Sequence, residues 1–113
     1  MVKSKELSWG KERTLFLNFI GYSVKGRIFD WLLTVRELDF SRTDIVNCSG
    51  VNKKEGFKIV EWLIKNNYIT PSRKIKNNKV QLYKLNKNKK IINLLINVFD
   101  ECLKDDIKIR RKK

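Results

Sequence analysis

Residues 41–85 read SRTDIVNCSGVNKKEGFKIVEWLIKNNYITPSRKIKNNKVQLYKL. The pattern predicts two short helices, at 42–48 and 53–66, joined by a tight turn. A hairpin follows over 68–85, in which apolar and polar residues alternate on both sides of the polar turn Lys76-Asn77-Asn78-Lys79. The order of helix, turn, helix and basic hairpin predicts a unit that presents one helix and the hairpin together.

Capping residues set the boundaries of the two helices. Ser41, with Asp44 three positions later, matches a capping box in which Asp replaces the usual Glu. Gly50 provides the open backbone that the turn needs. Asn52 caps the start of the second helix, and Asn67 can adopt the left-handed conformation at its end.

The second helix has two possible apolar faces. One face consists of Gly56, Ile59, Val60 and Leu63, and the other of Phe57, Val60, Leu63 and Ile64. We favour the first as the core face, which leaves outward Lys53, Lys54, Phe57, Lys58 and Glu61. Gly56 costs about 1 kcal/mol relative to Ala inside a helix, and either a close approach to the preceding helix or a kink would explain it. Val51, in the turn, is expected to fill the gap between the helices.

Two further helices upstream are expected to form the scaffold. The first, at 11–20, places on one side Leu15, Phe16, Phe19 and Ile20. Ser23 can cap the second, whose core residues follow helical spacing: Val24, Ile28, Trp31, Leu32 and Val35.

The charge of the chain is concentrated in one region. The 113 residues include 26 Lys and Arg against 12 Asp and Glu, a net charge of +14. Residues 53–90 hold twelve of the basic residues and two acidic ones, so they carry +10 of that total. Compositional drift would scatter the charge, whereas clustering favours a surface that binds a polyanion such as nucleic acid.

Several classes of protein are disfavoured. The chain has no His and no Cys-x-x-Cys motif, which argues against a metal site, and no pattern of catalytic residues, which argues against an enzyme. Cys48 and Cys102 are expected to be reduced, partly buried thiols of a cytoplasmic protein. The polar N-terminus does not resemble a signal peptide, and no apolar run is long enough to span a membrane. We expect no cofactor.

The last predicted helix, 89–107, is more apolar than one small core requires. Nine of the 13 residues from Ile91 to Leu103 are apolar, and they form two stripes instead of one. We therefore predict a homodimer through Ile91, Ile92, Leu95, Ile96, Val98, Phe99, Cys102 and Leu103. A deep groove in the chain's own domain is the alternative. The expected organisation is a flexible N-terminus (1–10), one domain (11–88), this helix, and a basic tail (108–113).

From about Phe19 to Leu103 the chain resembles the small archaeal winged-helix DNA-binding proteins, including those of archaeal viruses and plasmids. The matching stretches are VKGRIFDWLL, DIVNCSGV after Phe40-Ser41, IVEWLIKNNYIT, and RKIKNNKVQLYKLN running into IINLLINVFDECL. The resemblance implies an α+β, mostly helical fold, a winged helix-turn-helix with a C-terminal dimerisation helix. It also implies double-stranded DNA as partner, usually for transcriptional regulation. This chain departs from the family at Lys53-Lys54-Glu55, where small or hydroxyl residues are usual, and at Asn67, where Gly is usual.

In such a motif the second helix enters the major groove and the hairpin, or wing, lies on the backbone or minor groove. The candidate DNA-binding residues are Ser41, Arg42, Thr43, Asn52, Lys53, Lys54, Glu55, Phe57, Lys58, Arg73, Lys74, Lys76, Asn77, Asn78 and Lys79. Glu55 either accepts from a cytosine amino group or forms a salt link with a neighbouring Lys. Two other functions stay open: an architectural, replication or partition DNA-binding protein, and a winged-helix module that binds proteins.

Overall fold

The computed structural model describes residues 15–111 of the chain. In this part of the chain five helices and one hairpin follow in the order α1 (Leu15–Ile20), α2 (Val24–Thr34), α3 (Arg42–Ser49), α4 (Lys53–Lys65), β1 (Ile69–Ile75), β2 (Val80–Leu85) and α5 (Lys90–Arg111). The α+β, mostly helical architecture is the predicted one. The flexible segment predicted at 1–10 and the first residues of the predicted helix at 11–20 lie outside the described residues.

The predicted caps are confirmed. The Ser23 side chain accepts a hydrogen bond from the Gly26 amide at the start of α2. Ser41 and Asp44 form both bonds of the capping box, at 3.1 and 3.0 Å. The core is built from α2, α3 and α4, with the wing and α5 against it. Its fully buried members include Ile28, Leu32, Leu33, Ile45, Val46, Val60 and Leu63.

The turn between α3 and α4 brings the two helices close together at Gly56. Gly50 ends α3 with φ of 66° in the left-handed region. A Cβ added at Gly56 would lie 2.8 Å from Val51 Cγ2 and 3.1 Å from each Cγ of Val46. Of the two explanations for this glycine, the structure therefore supports the close approach, and Val51 fills the gap as predicted. Of the residues that distinguish the two predicted faces of α4, Gly56 is buried, as the preferred face requires. Ile59, Phe57 and Ile64 are all partly buried against the core, so residues of both faces contact it.

The wing is an antiparallel pair of strands with a bulge in β1. Pro71 pairs with Tyr83 and Lys74 with Gln81, so Ser72 and Arg73 together oppose a single residue of β2. Its turn carries three consecutive residues with positive φ, at 76, 77 and 78. The wing is joined to the helices by a short bridge, in which the backbones of Phe40 and Tyr83 exchange two hydrogen bonds of 2.9 and 2.7 Å. The sequence did not predict this third strand segment.

Part of the predicted dimer surface is wrong, because the C-terminal helix α5 buries two of its residues in the core. Ile92 is 0% and Phe99 8% exposed, because both lie in the chain's own core, and the ring of Phe99 meets that of Phe16 edge to face at 5.3 Å. These two residues are therefore not available to a second chain. The helix also continues to Arg111, so residues 108–111 of the predicted tail are helical.

Two further expectations were wrong in detail. On α1, Phe16 and Leu17 are buried, whereas Phe19, predicted to face the domain, is 72% exposed. The reason is that α1 packs on α5 through Phe16 and turns its other side outward. Cys48 is exposed and not partly buried, since α3 packs through Ile45 and Val46. Cys102 is partly buried as predicted, and burial raises the pKa of its thiol.

Candidate nucleic-acid interface

The outward face of α4 begins at its N-terminus. Asn52 Oδ1 accepts a hydrogen bond from the Glu55 amide at 3.1 Å and fixes the first turn. The four charged residues of that turn and the next are all exposed: Lys53, Lys54, Glu55 and Lys58. Phe57 departs from the prediction, because it is partly buried and packs against the core. The α4 face offered to a partner is therefore the charged one, without its aromatic residue.

The charged side chains of this face are not tied to each other. No ion pair in the described part of the chain involves Lys53, Lys54 or Lys58. Glu55 likewise forms no salt link with a described lysine, so the intrahelical pairing considered for it is absent here. On two turns of the helix, the exposed carboxylate can accept hydrogen bonds from a partner and the three exposed ammonium groups can donate them.

At the start of α3 the capping box uses some of the groups that were predicted to hold a phosphate. The amide of Ser41 donates to Asp44, and its side chain accepts from the Asp44 amide. Arg42 Nη1 lies 2.7 Å from Glu61 of α4, and its Nη2 lies 3.4 Å from the Tyr83 hydroxyl of the wing. Arg42 thus links three elements of the fold. Thr43 is exposed beside it.

The wing carries a free basic tip and a fixed base. Every candidate residue along its edge is exposed: Arg73, Lys74, Lys76, Asn77, Asn78 and Lys79. At the base, one carboxylate oxygen of Asp39 accepts from both Ser72 Oγ and Arg73 Nε, each at 2.8 Å. Among the candidate DNA-binding residues in the described range, the two arginines are held by carboxylates, whereas the lysines are not.

Further large apolar side chains are exposed along α5 and α1. They are Phe19, Ile20, Ile91, Leu94, Leu103 and Ile107, each at least 40% exposed, and we call this set the C-terminal apolar surface. A shallow groove of about 360 Å³ between α1 and α5 adjoins it, lined by Phe19, Val98 and Cys102 and bordered by Asn97, Glu101 and Asp105. Of the residues predicted to dimerise, Ile91 and Leu103 belong to this surface, and Leu95, Ile96, Val98 and Cys102 are partly buried beside the core.

Sequence reasoning missed Asp39, Leu94 and Ile107. Asp39 contacts residues more than thirty positions away, so no local pattern points to it. Leu94 and Ile107 fit a helical apolar pattern, but their position depends on how α5 lies on the core. Within residues 15–111 no cluster of three potential metal ligands occurs. No helix in that range combines the length and apolarity needed to cross a bilayer.

Solved structures share this arrangement of helices and wing. The adhesin competence repressor AdcR of Streptococcus pyogenes superposes with a TM-score of 0.61, at 16% identity over 100% of this chain and 84% of its own. ZitR of Lactococcus lactis, a cysteine-to-serine mutant in complex with DNA, gives 0.56 at 15% identity over 77% of this chain. The fold is a winged helix-turn-helix.

These similarities extend to the fold alone, because the identities are low. The chain spans about 60% of the length of the ZitR chain. No protein-family model and no curated protein sequence matches it. Both proteins come from bacteria, and the resemblance to archaeal proteins stays a prediction.

Proposed function

We propose that this protein is a sequence-specific double-stranded DNA-binding protein that regulates transcription as a homodimer. The observation that carries the proposal is the exposed N-terminal face of α4, where three lysines and one carboxylate form no ion pair with any described residue. A winged helix-turn-helix inserts this end of its second helix into the major groove. The repressor AdcR and the protein ZitR share the fold, and ZitR was captured on DNA.

The side chains on α4 differ in the bases they can read. A lysine ammonium donates to the acceptors of guanine, the amide of Asn52 can pair with adenine, and Glu55 can accept from the amino group of cytosine. Glu55 is the most informative of these. A negative charge facing phosphates weakens binding that depends on charge alone, so a carboxylate at this position favours base reading over nonspecific attachment.

The wing and the start of α3 supply contacts to the DNA backbone. Lys74, Lys76 and Lys79 are exposed, and an ammonium that neutralises a phosphate strengthens binding without regard to sequence. At the start of α3, the Thr43 side chain and the amides that the capping box does not use would hold a phosphate. Replacing both Lys76 and Lys79 by Ala is expected to reduce the log–log dependence of affinity on salt by about 2. An unchanged slope would rule out this role for the wing.

A second copy of the chain is the proposed partner of the C-terminal apolar surface. Six large apolar side chains along one helix and its neighbour are at least 40% exposed, and exposed apolar clusters commonly mark an interaction site. Pairing two copies about a two-fold axis would bury apolar side chains of this surface on both. It would also place two α4 helices on DNA, and such an arrangement reads an inverted repeat.

The alternative with support from the structure is an architectural DNA-binding protein. The positive charge clustered in residues 53–90 would serve backbone binding equally well. For the two remaining functions, a winged-helix module that binds other proteins and an enzyme, no specific observation on the described residues speaks in favour.

The test is a binding selection with the purified protein, sheared DNA from its source and near-physiological salt, followed by sequencing of the retained fragments. We expect enrichment of a short inverted repeat. Uniform retention would contradict sequence-specific binding and favour the architectural function. No retention would contradict DNA binding altogether. The Glu55→Gln protein serves as the matched variant, since it keeps the side-chain shape and removes only the charge.

A further inference from the structure

One short segment connects the helix-turn-helix to the wing. Ser41 caps α3, which packs directly on α4. Phe40 is buried in the core, and its backbone is bonded on both sides to Tyr83 of β2. Asp39, the next residue back, reaches the bulge of β1. Three consecutive residues therefore fix the wing relative to α3 and α4.

Asp39 holds the two residues that form the bulge. Its Oδ2 accepts from Ser72 Oγ and Arg73 Nε, and its side chain is only 20% exposed, against 66% for Arg73. The backbone carbonyl of Arg73 accepts in turn from Gln81 Nε2 at 3.2 Å. Arg73 lies in the bulge, where the regular pairing of β1 is interrupted, and the carboxylate limits the directions that its side chain can take.

The contact leaves part of the guanidinium available. Asp39 occupies Nε alone, so both terminal nitrogens of Arg73 remain as donors. The Arg73 and Ser72 hydrogen bonds lower the pKa of the Asp39 carboxyl from its ordinary value of 3.8. Asp39 is therefore charged at neutral pH, and it stays so until the solution is more acidic than that value.

We propose that Asp39 is a positioning residue that aims the terminal nitrogens of Arg73 into the minor groove, so that the wing distinguishes A·T from G·C pairs beside the sequence read by α4. This inference rests on the function proposed above. An arginine in the minor groove responds to groove width and to the amino group of guanine, which is how it can report A·T content. An arginine side chain that is free to rotate would bind a phosphate instead, and this contact does not depend on the base sequence.

The charge of Asp39 separates this role from simple attraction. A carboxylate beside DNA repels phosphates, so removing it should leave nonspecific binding equal or tighter. If Asp39 aims Arg73, the same change should reduce discrimination at the flanking base pairs. Affinity and discrimination would then move in opposite directions, which loss of folding cannot produce.

The experiment compares binding of full-length variants to the selected site with A·T, G·C or inosine·C pairs at its flanks. Inosine lacks the minor-groove amino group of guanine, so it isolates that contact. The variants are Asp39→Asn, Arg73→Lys and the double substitution. Glu37→Gln is the matched control, because it removes the same charge from the same loop, where Glu37 pairs with Lys87 instead. Thermal unfolding of each variant verifies the fold.

We expect Asp39→Asn and Arg73→Lys each to reduce the A·T preference roughly threefold to tenfold, and the double variant no further, as for two residues that act through one contact. Glu37→Gln should retain the preference. Full preference in Asp39→Asn, or equal loss in Glu37→Gln, would overturn the inference. If the unaltered protein discriminates base pairs at the centre of the site but not at its flanks, the inference about Asp39 is overturned and the proposed function stands. If it discriminates at neither position, the inference and the proposed function are both overturned.

Discussion

Helices α4 and α5 are both amphipathic, but the domain covers their apolar residues to different extents. The apolar face of α4 packs within the domain, where Gly56, Val60 and Leu63 are buried, and the opposite face is charged. Helix α5 buries Ile92 and Phe99 in the same core and still exposes Ile91 and Leu94. Helical spacing shows which residues share a face, but it does not show how many partners a helix has. The charged face of α4 is suited to binding DNA, whereas the exposed apolar side chains of α5 are suited to contact with another protein surface.

The largest expected effect comes from a test of the packing of α5, at two of its adjacent residues. Ile92→Ala should lower the free energy of unfolding by roughly 2–5 kcal/mol, because it opens a cavity in the core. Ile91→Ala, at a residue 47% exposed, should cost less than about 1 kcal/mol. Urea denaturation of dilute protein, where association contributes little, measures both. Equal losses would mean that α5 does not lie on the core as described.

A charge on the exposed side of α5 tests what that side is for. Leu94→Glu should weaken self-association about tenfold or more, because an unpaired carboxylate would be buried between the copies. Leu38→Glu is the control, since Leu38 is similarly exposed but lies in the loop between α2 and α3. Sedimentation equilibrium at micromolar concentration gives the association constants. A monomeric unaltered protein would contradict the dimer. Equal weakening by both variants would contradict its location on the C-terminal apolar surface.

On α4 the buried face can be tested at its closest contact. Gly56→Ala gains about 1 kcal/mol of helix propensity, but the added methyl meets the side chains of Val46 and Val51. Overpacking of this kind costs typically 1–3 kcal/mol, so we expect a net loss of about 1 kcal/mol in unfolding free energy. Val51→Ala makes room, so the double variant should lose less than the sum of the two single changes. Strict additivity would argue against this contact.

Substitutions on the outward face of α4 are expected to have the smallest effect, which is on the salt dependence of DNA binding. Lys54→Ala should reduce the log–log salt slope of DNA binding by about 1, if its ammonium neutralises one phosphate or lies beside one. Lys65→Ala removes the same charge from the other end of the helix and should leave the slope nearly unchanged. Fluorescence anisotropy over a salt series measures the slopes. Equal changes would mean that the N-terminal end of α4 has no special place on DNA.

The features predicted well from sequence depend on near neighbours. The capping box of Ser41 and Asp44, the left-handed Gly50 and the left-handed Asn67 involve bonds within a few residues, and all three are present. These signals position α3 and α4, so most of the candidate interface followed from them.

The features that were missed depend on distant residues. Phe40 bridges Tyr83, and Asp39 binds the base of the wing, across more than thirty residues in each case. Likewise Ile91 and Ile92 are both β-branched and apolar, and only the packing of α5 on Phe16 and its neighbours decides which one is buried. A pattern along one helix contains no information about that choice.

The most direct test of base reading by α4 is to repeat the binding selection with Glu55→Gln. We expect one base-pair position in each half-site to change its preference, by roughly 1–3 kcal/mol, while the rest of the site and the spacing of its halves stay the same. An identical selected site, bound only more tightly, would show that Glu55 acts through charge alone and would contradict base reading through this face of α4.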